Sequence, residues 1–272
     1  LEPFTERIDK PNVFFLTDTD RVKVHWGGFS QVQATLNLLR RCLETNDRNP
    51  SAYKKVVFMS GSDYPIKSND HIHSFFEKNA DVNFIRGMNI TKANAKKYNY
   101  CVCNYLFFDF FLYTPRMTRI VRKALNLAVN WVKKKPNHII NSAGKKVDLF
   151  HGSSWWALNI DVAKYILRYS FENREISDYF RLSLASDEKF FHTIFFNSAF
   201  ANTNLYGGEE PYVPFTSAFA NLHIIDPSLR KWFNRDDFDK IKDAEQLFVR
   251  KVSSHHSKDL LDKIDRDLLK RS

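Results

Sequence analysis

Two pairs of charged residues in the second half of the chain could take part in chemistry. Asp187-Glu188 lies at the start of a predicted helix, where a carboxylate can accept a proton or simply complement the helix dipole. Arg250-Lys251 follows a short apolar segment, where two cations can hold phosphate groups or remain solvated. Acidic first turns and basic strand ends are common, so residue types alone leave both alternatives open for each pair.

A third acidic pattern, Asp18-Thr19-Asp20, has the spacing that can hold a divalent metal. It follows a predicted strand, which is a suitable context for such a site. The same pattern recurs at 237–239 and 265–267, which shows how weakly specific it is. A surface turn is therefore the interpretation we adopt, and no metal site is predicted.

Two further segments combine polar or aromatic side chains with a strand end. Asp63 and Tyr64 follow the apolar run 56–59, and ligands in open α/β sheets bind beyond such strand ends. The alternative is a helix-entry turn with Tyr64 packed on the core. Trp155 and Trp156 alternate along a predicted strand, so one indole faces the core and the other can face a cleft. A core position for both indoles remains the alternative.

The elements that must position these residues alternate between strands and helices. The apolar spacing of Val32, Leu36, Leu39 and Leu43 predicts a helix from Ser30 to about Leu43 with these side chains on one face. Ser186 is expected to cap a helix that runs to Asn197. Residues 22–26, 56–59, 82–85 and 154–159 read as strands. This alternation predicts an α/β fold with a mixed, mostly parallel sheet flanked by helices. Residues 1–272 are interpreted as one domain, in which 92–147 form an inserted helical and aromatic lobe.

The composition favours a globular protein and excludes a glycine-rich phosphate-binding loop and a disulfide framework. The chain has 272 residues, 43% of them hydrophobic, and a formal net charge of +10, which suits a globular protein with an anionic partner. Only 8 residues are glycine, and no glycine-rich phosphate-binding motif is present. Three cysteines cannot make a disulfide framework, so a reducing compartment is expected.

Four segments in order carry a resemblance to a known family. They read VHWGGFS at 24–30, MSGSDYP at 59–65, FHGSSWWAL at 150–158 with SDEKFF at 186–191, and LFVRK at 247–251. The chain resembles the core-2/I-branching β-1,6-N-acetylglucosaminyltransferases and their relatives, the peptide O-xylosyltransferases. The resemblance implies a GT-A-like, Rossmann-related fold, with the first strand and helix of that fold expected upstream of Leu1.

The resemblance also implies a reaction. We expect an inverting, metal-independent transfer of a sugar from a UDP-sugar to a hydroxyl of a glycan, with a β linkage. N-acetylglucosamine is the first expected donor sugar and xylose the second. No cofactor is expected beyond the donor, and the partners are the nucleotide-sugar and the glycan acceptor.

Site residues follow partly from the same resemblance and partly from the residue types and their places after strands. Glu188 matches the catalytic base, and its place in a first helical turn predicts that the helix dipole keeps it ionised. The residues assigned to the nucleotide-sugar are Lys251, which matches a phosphate-binding lysine, Arg250, Arg230, Asp63 and Tyr64. The residues assigned to the acceptor are Trp155, Trp156, Ser153, Ser154 and Arg86.

The chain departs from the Golgi members of this family in its cysteine content. A bacterial, cytoplasmic member is therefore expected, and Lys133-Lys134-Lys135 could touch an anionic membrane surface or simply be solvated. Two alternatives to the enzyme remain: a catalytically inactive sugar-binding relative, and a basic nucleic-acid-binding protein. No recognisable nucleic-acid-binding motif supports the second.

Overall fold

A computed structural model of the protein describes residues 13–48, 53–109, 115–213 and 220–270. Within these ranges, no helix is both long enough and apolar enough to cross a membrane. The α-helices are α1 (Ser30–Arg48), α2 (Asn69–Lys78), α3 (Ile90–Ala93), α4 (Lys96–Cys103), α5 (Pro115–Val132), α6 (Ile160–Glu172), α7 (Arg174–Arg181), α8 (Phe190–Phe196), α9 (Phe238–Lys242) and α10 (Lys258–Ile264).

Helix α1 confirms the helix predicted after Ser30, although it continues beyond Leu43 to Arg48. The Asp109 carboxylate accepts hydrogen bonds from the backbone N–H and the hydroxyl of Ser30, at 3.1 and 2.6 Å. These bonds satisfy a donor that the helix itself leaves unpaired at its first turn. The side chains predicted for the inner face are all buried: Val32, Leu36, Leu39 and Leu43.

The strands are short and belong to several small sheets. Four pairs are antiparallel, β1 with β7, β2 with β9, β3 with β6 and β4 with β5, whereas β8 and β9 are parallel. The strands are β1 (Lys55–Val57), β2 (Asp63–Pro65), β3 (Gly87–Asn89), β4 (His138–Ile140), β5 (Lys146–Asp148), β6 (Phe150–Gly152), β7 (Ala157–Asn159), β8 (His223–Ile225) and β9 (Phe248–Arg250).

The prediction of a mixed α/β chain is confirmed, but the mostly parallel sheet is wrong for the described residues. Alternation of strands and helices gives the order of elements and not their direction. Strand β7 runs antiparallel to β1, and its Ala157 exchanges backbone hydrogen bonds of 2.8 and 3.0 Å with Phe84. The predicted strand at 22–26 is also absent.

Phenylalanine builds much of the core. All seven residues of α8 are buried, among them Phe190, Phe191, Phe195 and Phe196. This helix packs on β6 and α6. Such complete burial lets α8 serve as a rigid support for the residues that precede it, because close-packed interiors resist displacement.

Residues 92–147 share the main core. Tyr98, Val102, Ile139 and Val147 belong to the same buried cluster as the phenylalanines of α8. Strands β4 and β5 form a hairpin through residues 141–145, where Gly144 has φ +73. The described part of the insertion is therefore packed into the body of the fold, and its interpretation as a lobe stays a prediction.

Candidate active site

A cleft of about 720 Å³ opens between α1, the loops after β1 and β6, and the loops around β8 and β9. Its carboxylates include Asp187 and Glu188, and its cations include Lys231. The cleft brings together seven of the predicted site residues: Ser153, Ser154, Trp155, Glu188, Arg230, Arg250 and Lys251.

Glu188 ends a short 3-10 turn, Ser186–Glu188, which directly precedes α8. The Ser186 hydroxyl is buried and donates a hydrogen bond of 2.8 Å to the carbonyl of Phe180. The backbone N–H of Ala185 donates to the carbonyl of Gly27 at 2.9 Å. These contacts fix the turn to α7 on one side and to the cleft wall on the other, so Glu188 is held in place by its backbone.

The environment of Glu188 corrects the expectation that a helix dipole keeps this carboxylate ionised. The pKa of Glu188 is raised to about 7, mainly by burial and also by Asp187, while Lys189 and Lys97 oppose the rise. The carboxylate lies deep among protein atoms even though 40% of its side-chain surface is open to the cleft. A carboxylate that titrates near neutral pH is suited to exchange protons with a substrate.

The imidazole of His151 lies beside this carboxylate, with its Nδ1 3.9 Å from Oε2 of Glu188. Burial lowers the pKa of His151 well below its ordinary value, and Lys189 and His192 lower it further. At neutral pH the imidazole is uncharged, so it does not stabilise the ionised form of Glu188 as an ion pair would.

Ser154 holds the other carboxylate of the acidic pair. Its hydroxyl donates a hydrogen bond of 2.6 Å to Oδ2 of Asp187. Both side chains line the cleft. The Ser154 hydroxyl thus has a protein partner, whereas it was expected to bond a hydroxyl of the acceptor.

Arg250 is held by three neighbouring side chains. Its Nη1 donates to Oδ1 of Asp63 at 2.7 Å and to the hydroxyl of Ser60 at 2.5 Å. Its guanidinium lies 3.8 Å from the ring centroid of Trp155. The antiparallel register of β2 and β9 places Asp63 directly opposite Arg250, so the ion pair is a cross-strand pair.

The Asp63 carboxylate has no exposed surface, and its role in this structure is to orient Arg250 from behind the cleft. Its ion pair neutralises much of the charge that Arg250 would offer to a phosphate. The guanidinium also covers one face of Trp155, so that face is not available to a sugar ring. Asp63 itself is not among the cleft-lining residues.

Three other predicted residues do not line the cleft. Trp156 is 2% exposed and belongs to the core, whereas Trp155 lines the cleft, as expected when one of two alternating indoles faces the core. The Arg86 guanidinium donates to both carboxylate oxygens of Glu210, at 2.8 and 2.6 Å. The Tyr64 hydroxyl donates to Asp265 at 2.8 Å. These contacts engage the polar groups of Arg86 and Tyr64 with other parts of the protein.

The remaining cations of the cleft differ in how they are paired. Lys231 forms an ion pair with Asp237. Lys251 lies 5.9 Å from the ring centroid of Trp232, and no carboxylate in the described ranges is within ion-pair distance of it. Arg230 is exposed at the cleft. Lys251 and Arg230 are therefore the cations best able to meet an anionic ligand.

The acidic pattern at 18–20 is engaged elsewhere. Asp18 forms an ion pair of 3.1 Å with Arg21, and Asp20 forms one of 2.5 Å with Arg40. Neither carboxylate lines the cleft. Within the four described ranges, no group of three or more His, Cys, Asp or Glu side chains has the arrangement of a metal site.

Sequence reasoning missed several cleft residues. Trp26 is 81% exposed and lines the cleft together with Gln31, Thr35 and Ser60. Trp26 and Ser60 stand inside segments that carried the family resemblance, and that position was the only signal that could have singled them out. Nothing in the apolar spacing of α1 distinguishes a helix face that borders a cleft from one that borders bulk solvent.

Gly152 permits the close contact between β6 and β3 behind the cleft loop. A Cβ at this position would lie 2.1 Å from the carbonyl oxygen of Arg86 and 2.5 Å from Nε2 of the fully buried His192. We therefore expect Gly152→Ala to destabilise the protein by about 3 kcal/mol, because backbone must shift to make room. Gly61→Ala is the matched control, since a Cβ there meets nothing within 4 Å. Denaturant unfolding of both variants measures the difference, and equal midpoints would contradict this account of the packing.

Comparison with known proteins identifies the family of this chain. The family model of core-2/I-branching enzymes matches residues 3–208. Xylosyltransferase 1 of Rattus norvegicus is 25% identical over 185 residues, which are 67% of this chain and 19% of that protein. Xylosyltransferase 1 of Homo sapiens shows the same identity over 67% of this chain and 16% of its own length. The chain thus spans less than a fifth of the curated relatives it matches. The match over residues 3–208 shows that this protein belongs to the core-2/I-branching enzyme family.

Proposed function

We propose that this protein is an inverting, metal-independent glycosyltransferase that moves a sugar from a UDP-sugar to a hydroxyl of a glycan. The observation that carries the proposal is a cleft that joins a carboxylate of pKa about 7 to several cations. Family membership and the names of the relatives, which are xylosyltransferases, support sugar transfer.

In the proposed reaction the acceptor oxygen attacks the anomeric carbon from the face opposite the diphosphate. The new carbon–oxygen bond forms as the bond to the diphosphate breaks, and its electron pair leaves with UDP. Glu188 takes the proton of the attacking hydroxyl, which prevents a positive charge from building up on that oxygen. One displacement inverts the configuration, so an α-linked donor gives a β-linked product.

Lys251 and Arg230 would stabilise the departing diphosphate. The leaving group gains negative charge, and fixed cations at that place lower the barrier without needing to reorganise. Arg250 would contribute less charge because Asp63 already pairs with it, and its main effect would be to shape the wall beside Trp155. Trp26, which is widely exposed in the cleft, offers a free aromatic surface for a sugar ring.

N-acetylglucosamine is the first proposed donor sugar, as the family resemblance implies. Xylose is the second candidate, favoured by the relatives named xylosyltransferase 1. Incubating the protein in EDTA with each UDP-sugar and a panel of glycan acceptors tests the proposal. Transfer from one of these donors is expected. Release of no UDP with any donor and acceptor would contradict the enzymatic function.

The proposed base predicts a pH dependence. Glu188 must be ionised to accept a proton, and its raised pKa places that ionisation near pH 7. Turnover at saturating substrate should therefore rise with pH through about 7 and level off about one unit higher. Steady-state kinetics from pH 5 to pH 9 measure this curve. A profile that is flat over this range, or that falls as pH rises through 7, would contradict a base with this pKa.

A further inference from the structure

The positive charge of the chain is concentrated in one segment. Residues 92–147 hold twelve of the 41 Lys and Arg residues but only one of the 31 acidic residues, Asp109. The rest of the chain therefore carries 29 basic and 30 acidic residues and is nearly neutral. The net positive charge of the protein therefore comes almost entirely from this segment.

Helix α5 presents an exposed apolar face within this basic segment. At 100° per residue, Ile120, Leu127 and Trp131 fall within about 40° of one another around the helix. They are 62%, 72% and 87% exposed. Val121 and Val132, 43% and 84% exposed, extend the apolar surface. An exposed Trp beside aliphatic side chains on one helix is the mark of an interaction surface rather than of scattered surface residues.

Two asparagines attach α5 to the fold, about 60° and 100° from Leu127 around the helix. The Asn130 side chain accepts from the backbone N–H of Tyr105 at 2.7 Å and donates to its carbonyl at 2.8 Å. The Asn126 side chain accepts from the N–H of Phe107 at 3.2 Å. These polar contacts hold the helix on the side that also carries Arg119 and Lys123. The apolar face has no described neighbours that bury it.

Cations border the apolar face. Arg119 and Lys123 are exposed, lie one turn apart and follow the edge next to Leu127. Lys133 and Lys134 continue the positive charge beyond the end of the helix. The described part of α5 and the segment up to Lys134 contain no carboxylate that would oppose this charge.

Lys135 does not belong to this surface, although the sequence groups it with its neighbours. It is 8% exposed, and its ammonium donates to the carbonyl of Tyr179 and the hydroxyl of Ser183, both at 2.8 Å. This side chain ties the insertion to the end of α7. The expected membrane contact of the three lysines is thus reduced to Lys133 and Lys134.

We propose that α5 docks on the surface of a bilayer that contains anionic phospholipids. The apolar arc would enter the boundary between headgroups and acyl chains, while the bordering cations contact phosphate groups. A nucleic acid would satisfy the cations but would leave Leu127 and Trp131 exposed to water. A lipid surface would cover the apolar arc and also pair with the cations. This docking proposal does not depend on the proposed transfer reaction.

Sedimentation with vesicles tests the proposal. The wild-type protein should bind vesicles made of equal parts phosphatidylglycerol and phosphatidylcholine, and binding should fall with added salt. The double variant Leu127→Ser, Trp131→Ser and the double variant Arg119→Glu, Lys123→Glu should each lose at least about tenfold in affinity. Phe171→Ser, at an exposed apolar position on α6, is the matched control and should bind as the wild type does.

Fluorescence gives a second readout that does not depend on sedimentation. The emission of Trp131 should shift to shorter wavelength on vesicle binding, so the wild-type shift should exceed that of Trp131→Phe. Failure of the wild type to bind, as expected if another part of this chain covers the face, would overturn the proposal. Vesicle binding by the two α5 double variants as tight as that of the wild type would also overturn it. Two other results would also overturn the proposal, if the α5 substitutions abolish them. One is a dimer in sedimentation velocity, and the other is tighter binding to duplex DNA than to vesicles.

Discussion

Glu188→Gln should lower turnover by about 10²- to 10⁴-fold, while the affinity for UDP changes by less than about twofold. The amide keeps the size of the side chain but cannot accept a proton from the attacking hydroxyl. UDP binding depends on the cations across the cleft and should not sense the loss. Steady-state kinetics with the best donor, together with calorimetric titration of UDP, measure the two effects separately.

Two controls distinguish lost chemistry from lost structure. Asp187→Asn removes the neighbouring carboxylate, but the amide oxygen of the new side chain can still accept the hydrogen bond of Ser154. The loss of turnover in this variant should therefore be much smaller than in Glu188→Gln.

Thermal unfolding supplies the second control. Because the folded-state pKa of Glu188 is raised, its ionisation weakens the folded state progressively as pH rises from about 4.5 to about 7. Glu188→Gln should therefore unfold at an equal or higher temperature at pH 8. Full turnover by this variant would remove Glu188 from the role of base.

Lys251→Ala should weaken UDP binding by about 10- to 100-fold, the loss expected when one charge-assisted contact to a phosphate disappears. Lys251 lines the cleft, and no carboxylate among the described residues pairs with it, so its charge is available to a ligand. Calorimetric titration of UDP into the wild type and the variant measures the change.

Lys242→Ala is a suitable control for the removal of positive charge. This lysine forms an exposed ion pair with Asp239 and does not line the cleft. Its removal lowers the net charge by the same amount as the removal of Lys251. If both variants bind UDP as tightly as the wild type, Lys251 does not contact the diphosphate. If both lose affinity equally, the effect is one of total charge rather than of a specific contact.

Local patterns in the sequence predicted the elements that bury one face. The spacing of Val32, Leu36, Leu39 and Leu43 was sufficient to predict α1, because an amphipathic helix repeats every 3.6 residues. Strand direction had no such local signal. The antiparallel position of β7 is set by its hydrogen bonds to β1 and to Phe84, which lies about 70 residues away in sequence.

The candidate site was predicted as a set of residues but not as a set of contacts. The segments that resemble the family lead to Glu188, Trp155 and Lys251, and all three line one cleft. The pairing of Arg250 with Asp63 depends on the register of β2 and β9, which single-sequence patterns do not encode. The raised pKa of Glu188 likewise depends on burial by residues that are distant in sequence. The expectation of an ionised carboxylate was based only on the helical turn that contains Glu188.

The central claim is that the cleft binds a UDP-sugar through its own cations. Titration of UDP into the wild-type protein by calorimetry, once in EDTA and once with manganese, tests it most directly. The account predicts binding of equal affinity in both conditions. Binding only in the presence of manganese, or no binding in either, would contradict it.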